Sequence, residues 1–431
     1  MSTLAEVRLW GRRIGAVSLP ADQVVANFEY DREFATSGIE VAPLEMPLEQ
    51  KIYSFPGLNP ESFHGLPGLL SDSLPDRYGN ALIDAWLARE GREPGSFDAV
   101  ERLSYIGTRG MGALEFRPAI GPQSQGSEEI DVQALSELAS DALEERTAWR
   151  ESLGDEKAMQ QILRVGTSAG GARAKALIAW NPRTGEVRSG QGDAEPGFEH
   201  WILKFDGVDD ESRDLGKGQG YGAIEYVYSE MARRAGIAMS ETRLYAEGGR
   251  RHFMTKRFDR TPGGGKLHMQ SLAALRHLDF NQPGANSYEQ AFGVIRRLRL
   301  GRTAIEQMFR RMVFNVVARN QDDHVKNIAF LMDQGGAWSL APAFDMVYAV
   351  GRGWTSRHQM SINGMRDGFV MDDLREVAEL AAMKRGEADR IVDEVVDAVG
   401  SWPTLADAEG LAPRVVERIA QQLRLDLAQR R

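Results

Sequence analysis

Asp322-Asp323-His324-Val325-Lys326-Asn327 and, further on, Pro342-Ala343-Phe344-Asp345 are the stretches that decide how this chain is read. Asp322 and Asn327 stand five positions apart, the separation of aspartate and asparagine in kinase catalytic loops. Phosphoryl transfer needs a carboxylate to take the proton of an attacking hydroxyl and an amide oxygen to hold a metal ion. It also needs a second carboxylate between metal and phosphates, and Asp345 supplies one after a hairpin predicted over Asn327–Val350, turning at Asp333-Gln334-Gly335-Gly336. Magnesium prefers such sparse sets of hard oxygen ligands and completes its octahedron with water and phosphate. The same residues also read as plain structure, with Asp322 and Asn327 as turn formers and Asp345 as a helix cap. What lies upstream weighs between the two.

Upstream, the small residues of Gly166-Thr167-Ser168-Ala169-Gly170-Gly171-Ala172-Arg173-Ala174-Lys175 let backbone N–H groups approach phosphate oxygens. The spacing is not that of a P-loop, and by itself the stretch reads as a surface turn. Lys204 lies within the apolar strand Ile202-Leu203-Lys204-Phe205. A cation there is costly unless it meets an anion, so it either binds phosphate or lies on an edge strand facing water. Glu225, early in a helix predicted over 223–236, is its candidate partner, with Glu230 on the same helix. Other chemistries lack their first residue. Seven histidines include no H-E-x-x-H pair, and no G-x-G-x-x-G opens a dinucleotide fold.

The 431 residues suffice for two or three domains, with apolar (42%) and charged (26%) fractions typical of globular proteins. No run approaches the ~20 apolar residues of a membrane span, and Met1–Arg8 lacks the layout of a secretory signal. The absence of cysteine excludes disulfides and thiolate chemistry and fits a reducing cytoplasm. A net charge of −10 disfavours a general polyanion binder. Arg296, Arg297, Arg299, Arg302, Arg310 and Arg311, opposed only by Glu306, read as a solvated helical surface or as a local patch for DNA.

Period-2 alternation predicts an opening β-meander or small barrel at Val7–Trp10, Ile14–Val17 and Val24–Phe28. Strands are expected at Lys175–Trp180, Trp201–Phe205 and Phe253–Phe258, and helices at Ala81–Arg89, 372–382, 387–399 and 413–428. Gly121 to Gly126 reads as a linker. The expected architecture is α+β: a β-rich subdomain over 1–120, a small α/β lobe over 121–260, and a mainly helical lobe with the catalytic loop over 261–431.

In this order along nearly the whole chain, the landmarks resemble the HipA family of serine/threonine kinase toxins from bacterial toxin–antitoxin modules. Val7-Arg8-Leu9-Trp10, Ile14-Gly15, Leu69–Asp76 and Ile106–Leu114 look like its N-terminal domain. Ser168–Lys175, Lys204, Lys256–Arg260, Asp322–Asn327 and Phe344-Asp345 look like its kinase landmarks. The resemblance implies a protein-kinase-like bilobal fold that binds ATP and Mg2+ between its lobes. It implies Asp322 as general base, Asn327 and Asp345 as metal ligands, and His324, Val325, Lys326, Asn327 and Phe344 around the nucleotide. Gly170, Gly171, Ala172, Arg173, Ala174 and Lys175 would approach the phosphates, and Lys204 would contact them. Lys256, Arg257 and Phe258 would form a hinge strand reading adenine through backbone groups, with Asp259 near the ribose. Ser168 would be autophosphorylated as an off-switch. The implied partners are a small HipB-like DNA-binding antitoxin, operator DNA within that complex, and a protein substrate such as an aminoacyl-tRNA synthetase. Ala174 and Lys256 depart from residues common in relatives; neither departure removes a catalytic group. Two other functions remain open at this level: a catalytically weak kinase-fold partner of an antitoxin, and a kinase for small molecules.

Overall fold

Ala5, Val7 and Leu9 alternate with half-buried Glu6 and Arg8, so strand β1 (Thr3–Leu9) turns one face to a core. In the computed structural model, which describes residues 2–121, 129–143, 161–163, 166, 173–192, 194–208 and 220–429, this strand is paired on both sides in an antiparallel sheet. Its neighbours are β2 (Arg12–Leu19), β3 (Asn27–Tyr30), β4 (Ile52–Tyr53) and β5 (Leu114–Arg117), in the order β4-β3-β2-β1-β5. Gly15 is required where β2 meets β3, because a Cβ there would lie 2.3 Å from the Glu29 carbonyl. The meander is therefore as expected, except that β3 begins at Asn27 and leaves Val24 84% exposed.

Asp76 starts the helix Arg77–Arg89 by accepting the Gly79 N–H at 2.8 Å. The buried Tyr78 and Leu82 of that helix pack with Leu135, Ile162, Ala176 and Leu203, and so belong to a second core. This core backs the antiparallel sheet β7-β6-β8-β10-β9, built from β6 (Lys175–Trp180), β7 (Val187–Ser189), β8 (Glu199–Lys204), β9 (Thr242–Glu247) and β10 (Arg250–Lys256). The helix Tyr221–Arg234 packs on β10. Asp206 fixes its start by accepting the N–H groups of Gly220 and Gly222, and Gly236, at φ 75°, follows its end. The expected linker falls mostly on residues 122–128, outside the described residues.

The remainder carries a three-stranded sheet of β11 (His268–Ser271), β13 (Ala329–Met332) and β14 (Trp338–Leu340). A short parallel pair joins β12 (Asn286–Ser287) to β15 (Met360–Ser361). The predicted hairpin after Asn327 thus exists but is shorter. The helices Tyr288–Arg297, Gly301–Val317, Met371–Leu380, Glu387–Gly400, Trp402–Ala408 and Pro413–Ala420 enclose the largest core. Trp402–Ala408 was not expected from periodicity; it is a short helix with proline in its first turn. The arginine cluster divides. Arg296, Arg297, Arg299 and Arg302 are exposed, but Arg310 and Arg311 are buried and hold the carbonyls of Ala235 and Ala341 at 2.8 and 2.7 Å. For those two residues the solvated-surface reading is corrected, because their guanidinium groups satisfy orphaned carbonyls inside the lobe. Among the described residues no helix is long and apolar enough to cross a membrane.

Asp259 clasps the N-terminal sheet to the rest of the chain. Its fully buried carboxylate receives Arg257 at 2.9 and 2.7 Å, Arg260 at 2.7 Å and the Gly112 N–H at 2.7 Å. Burial opposes its charge, but Arg257 and Arg260 outweigh that and hold the carboxyl far below the usual range. His277 adds a second clasp by accepting the Gly68 N–H at 3.0 Å.

Two outcomes are expected. Asp259→Asn leaves buried guanidinium groups without their counter-ion and should cost about 3–5 kcal/mol, seen as a lower urea midpoint. His252 accepts the Asp206 N–H at 2.9 Å as His277 accepts that of Gly68, so both rings fit only when neutral. Burial pushes these two and His268 from 6.5 down to about 4. The unfolded chain then binds more protons between those values, so stability is full above about 6.5 and falls as pH drops toward about 4. Urea midpoints measured from pH 7 to 4.5 should decline steadily, and a flat series would contradict the assignment.

Candidate active site

Lys204 closes β8, a strand flanked on both sides by β6 and β10, so the reading that placed it on an edge facing water does not hold. Its ammonium is buried and must find anions. It donates to Glu225 Oε1 at 2.6 Å and to the carboxylate of Asp345. Glu225, 1% exposed and one helical turn into Tyr221–Arg234, takes Arg173 on its other oxygen at 2.7 Å. Burial works against the charge of Lys204, but Asp345 and Glu225 outweigh it and raise its pKa. Burial likewise opposes ionisation of Asp345, and Lys204, then Lys175, bring that carboxyl down from 3.8 to about 2. Lys204 and Asp345 are thus both held in their charged forms.

Asp345 is not a helix cap, since no helix begins there. Its backbone sits at φ 53°, a left-handed conformation that aspartate tolerates better than most residues. Asn320 Nδ2 holds its carbonyl at 3.4 Å. Such backbone concentrates where a side chain must be aimed.

The 3-10 turn Val325–Asn327 shapes the loop that carries Asp322. Asn327 Nδ2 donates to the Asp322 carbonyl at 2.9 Å, which leaves its Oδ1 without a hydrogen bond among the described residues. The carboxylate of Asp322 is 38% exposed and accepts the Trp354 Nε1–H at 2.8 Å. His324 Nε2 lies 3.8 Å from the same carboxylate oxygen. Lys326 places its ammonium 4.6 Å from the centre of the Phe280 ring. Val325 points into the hydrophobic core, which corrects its expected place beside the nucleotide: a β-branched apolar side chain is more stable inside the lobe.

Sequence reasoning passed over Asp323. It is buried and accepts from Tyr288 Oη at 2.8 Å, His358 at 2.9 Å and the Gln359 N–H at 2.8 Å. Asn315 donates to the Tyr288 hydroxyl at 2.9 Å, and Asn320 donates to Asn315 at 3.0 Å. A continuous polar chain therefore runs from the Asp322–Asn327 loop to the backbone of Asp345. Asn320, His324, Asn327, Phe344 and Asp345 line one cavity, and Phe344 and Asp345 also wall a second with Lys204, Glu225 and Thr255.

The upstream loop is described only in part: Ser168, Gly170, Gly171 and Ala172 lie outside the described residues. Arg173 engages Glu225, Ala174 is buried, and Lys175 pairs with Asp76 at 3.1 Å. At the expected hinge, Phe253 and Thr255 face the cleft, so strand alternation sends the Lys256 side chain to the other face, where it meets Glu199 at 2.6 Å. The N–H groups of Lys256 and Arg257 are engaged by the Glu241 and His200 carbonyls, both at 2.9 Å. Backbone reading of a base by those two donors is corrected accordingly. Phe258 stacks obliquely on Phe344, centroids 5.6 Å apart. The expectation of Asp259 beside a ribose is also corrected, because both its oxygens are engaged in the clasp described above.

The donor set suits magnesium. Asn327 Oδ1 and the Asp345 carboxylate are hard oxygens on one cavity, and phosphate and water are what such a set leaves to complete an octahedron. Among the described residues no group of three or more His, Cys, Asp or Glu could hold a metal ion, so a denser protein cage is not found there.

Comparison with known proteins adds independent information. The HipA N-terminal domain family matches residues 5–117, and the HipA-like C-terminal domain family matches residues 167–403. No curated protein matches the sequence. The structure is similar to a chain in the Shewanella oneidensis MR-1 toxin–antitoxin complex of HipA, HipB and operator DNA. That likeness has a TM-score of 0.69 at 18% identity and covers 99% of this chain and 96% of that one. A weaker likeness, TM-score 0.38 at 13% identity, relates it to the Helicobacter pylori proinflammatory kinase CtkA, covering 60% of this chain and 91% of that chain. With more than half its length in the C-terminal domain match and the N-terminal domain matched before it, the chain belongs to the HipA family.

Proposed function

We propose that this chain is an ATP-dependent serine/threonine-protein kinase acting as the toxin of a toxin–antitoxin pair. The observation that carries the proposal is the buried ammonium of Lys204 between Glu225 and Asp345, beside a loop whose Asp322 side chain is 38% exposed and whose Asn327 Oδ1 has no hydrogen bond among the described residues. Lys204 orients and neutralises the ATP phosphates; Asn327 and Asp345 hold Mg2+, which supplies the remaining charge neutralisation. Asp322 accepts the proton of the attacking hydroxyl. The acceptor oxygen bonds the γ-phosphorus as its bond to the ADP oxygen breaks. Asp323, engaged by Tyr288, His358 and the Gln359 N–H, anchors the loop.

Ser168 is the proposed autophosphorylation site. A phosphate there adds about −1.5 to −2 charge on a loop that must meet ATP phosphates, which opposes nucleotide binding and switches the enzyme off. The HipA, HipB and operator DNA of the Shewanella complex support a HipB-like antitoxin as partner, with operator DNA contacted in the complex. The substrate is a protein hydroxyl, of which an aminoacyl-tRNA synthetase is the example the family offers. The compartment is the cytoplasm, consistent with a chain free of cysteine.

Incubation with γ-labelled ATP and magnesium should label Ser168 in the wild type and not in Asp322→Gln; no label in either contradicts the proposal. Lys204→Met should reduce transfer by about 100-fold or more, and an unchanged rate would remove Lys204 from the site.

A further inference from the structure

Trp354 is exposed to 38% in the turn Trp354–Ser356, yet its indole N–H is committed to Asp322 Oδ1 at 2.8 Å. The contact is built from beneath. Gln359, 3% exposed, donates through Nε2 to the carbonyls of Trp354, Arg357 and Gln321, the last two at 3.0 and 3.3 Å. Its own N–H donates to Asp323 Oδ1 at 2.8 Å, so one buried amide staples the tryptophan turn to the catalytic loop. Gly353, at φ 82°, supplies the left-handed residue that lets the chain enter that turn.

A carboxylate acting as base has two oxygens and rotates freely unless one is held. Here Oδ1 is held by the indole, with His324 at 3.8 Å as a weaker neighbour, and Oδ2 has no hydrogen bond among the described residues. We infer that Trp354 is a positioning residue: its N–H clamps Oδ1 of Asp322 so that Oδ2 faces the acceptor hydroxyl, and its exposed ring forms a wall of the acceptor site. The inference rests on the kinase reading above. Misdirection of a reacting oxygen by about 1 Å costs about 100-fold in rate.

The test uses the full chain, Mg2+ and labelled ATP, with transfer to its own Ser168 followed as ATP is varied. Trp354→Phe keeps the ring and removes the donor. The rate at saturating ATP should fall about 10- to 100-fold, while the half-saturating ATP concentration stays within about two-fold. Gln359→Ala, which releases the turn but keeps the indole, should give the same split in milder form. An unchanged rate in Trp354→Phe overturns the inference, as does a faster one, which would mean that the indole blocks the base. A loss of rate matched by a loss of ATP affinity also overturns it, since general disruption of the cleft produces that pattern. If the wild type transfers no phosphate and Asp322→Gln behaves identically, the kinase reading fails and this inference fails with it; an active wild type with an indifferent Trp354→Phe refutes only the role of Trp354.

Discussion

A single buried ammonium organises this molecule. Lys204 cannot stay charged inside the lobe unless anions come to it, and the two that do arrive from different places: Glu225 from the helix packed on the sheet, Asp345 from the chain after the hairpin. Meeting that demand fixes the distance between the sheet, the helix and the segment that carries Asp345. Arg173 on the far oxygen of Glu225 then draws the end of the upstream loop to the same point. The strain at Asp345 and the polar chain through Asn320, Asn315 and Tyr288 to Asp323 follow from the same need, because the carboxylate has to be aimed and held.

The N-terminal sheet takes part in this arrangement rather than standing apart. Asp259 joins it to the end of β10, and Asp76 at the head of the helix Arg77–Arg89 holds Lys175 at the start of β6. The segment that precedes the predicted linker therefore contributes a carboxylate to the neighbourhood of the cleft. Removal of the N-terminal region would take the Gly112 N–H from Asp259, the Gly110 and Gly112 carbonyls from Arg257 and Arg260, and Asp76 from Lys175.

How much of this was readable in the sequence depended on how local each constraint was. The need of Lys204 for an anion is a property of one strand, and Glu225 lies only 21 residues away. The Asp322–Asn327 spacing is local as well. Asp323 is hidden from a local reading because its partners Tyr288 and His358 are each 35 residues distant. Asp259 is claimed by Arg257 and Arg260, its neighbours in the chain, and by the Gly112 N–H 147 residues upstream, which no local reading reveals. Arg310 and Arg311 looked like surface charge because composition cannot reveal a carbonyl waiting across the lobe. Val325 was read with its polar neighbours, although its burial follows from its apolar side chain alone.

The central claim is that this charged cleft receives the phosphates of magnesium-bound ATP. A crystal structure of the full chain soaked with Mg2+ and a non-hydrolysable ATP analogue tests it most directly. The account predicts phosphate oxygens against Lys204 and the metal on Asn327 Oδ1 and Asp345. Nucleotide bound elsewhere, or a Lys204–Asp345 contact left intact with the cleft empty at saturating analogue, would contradict it.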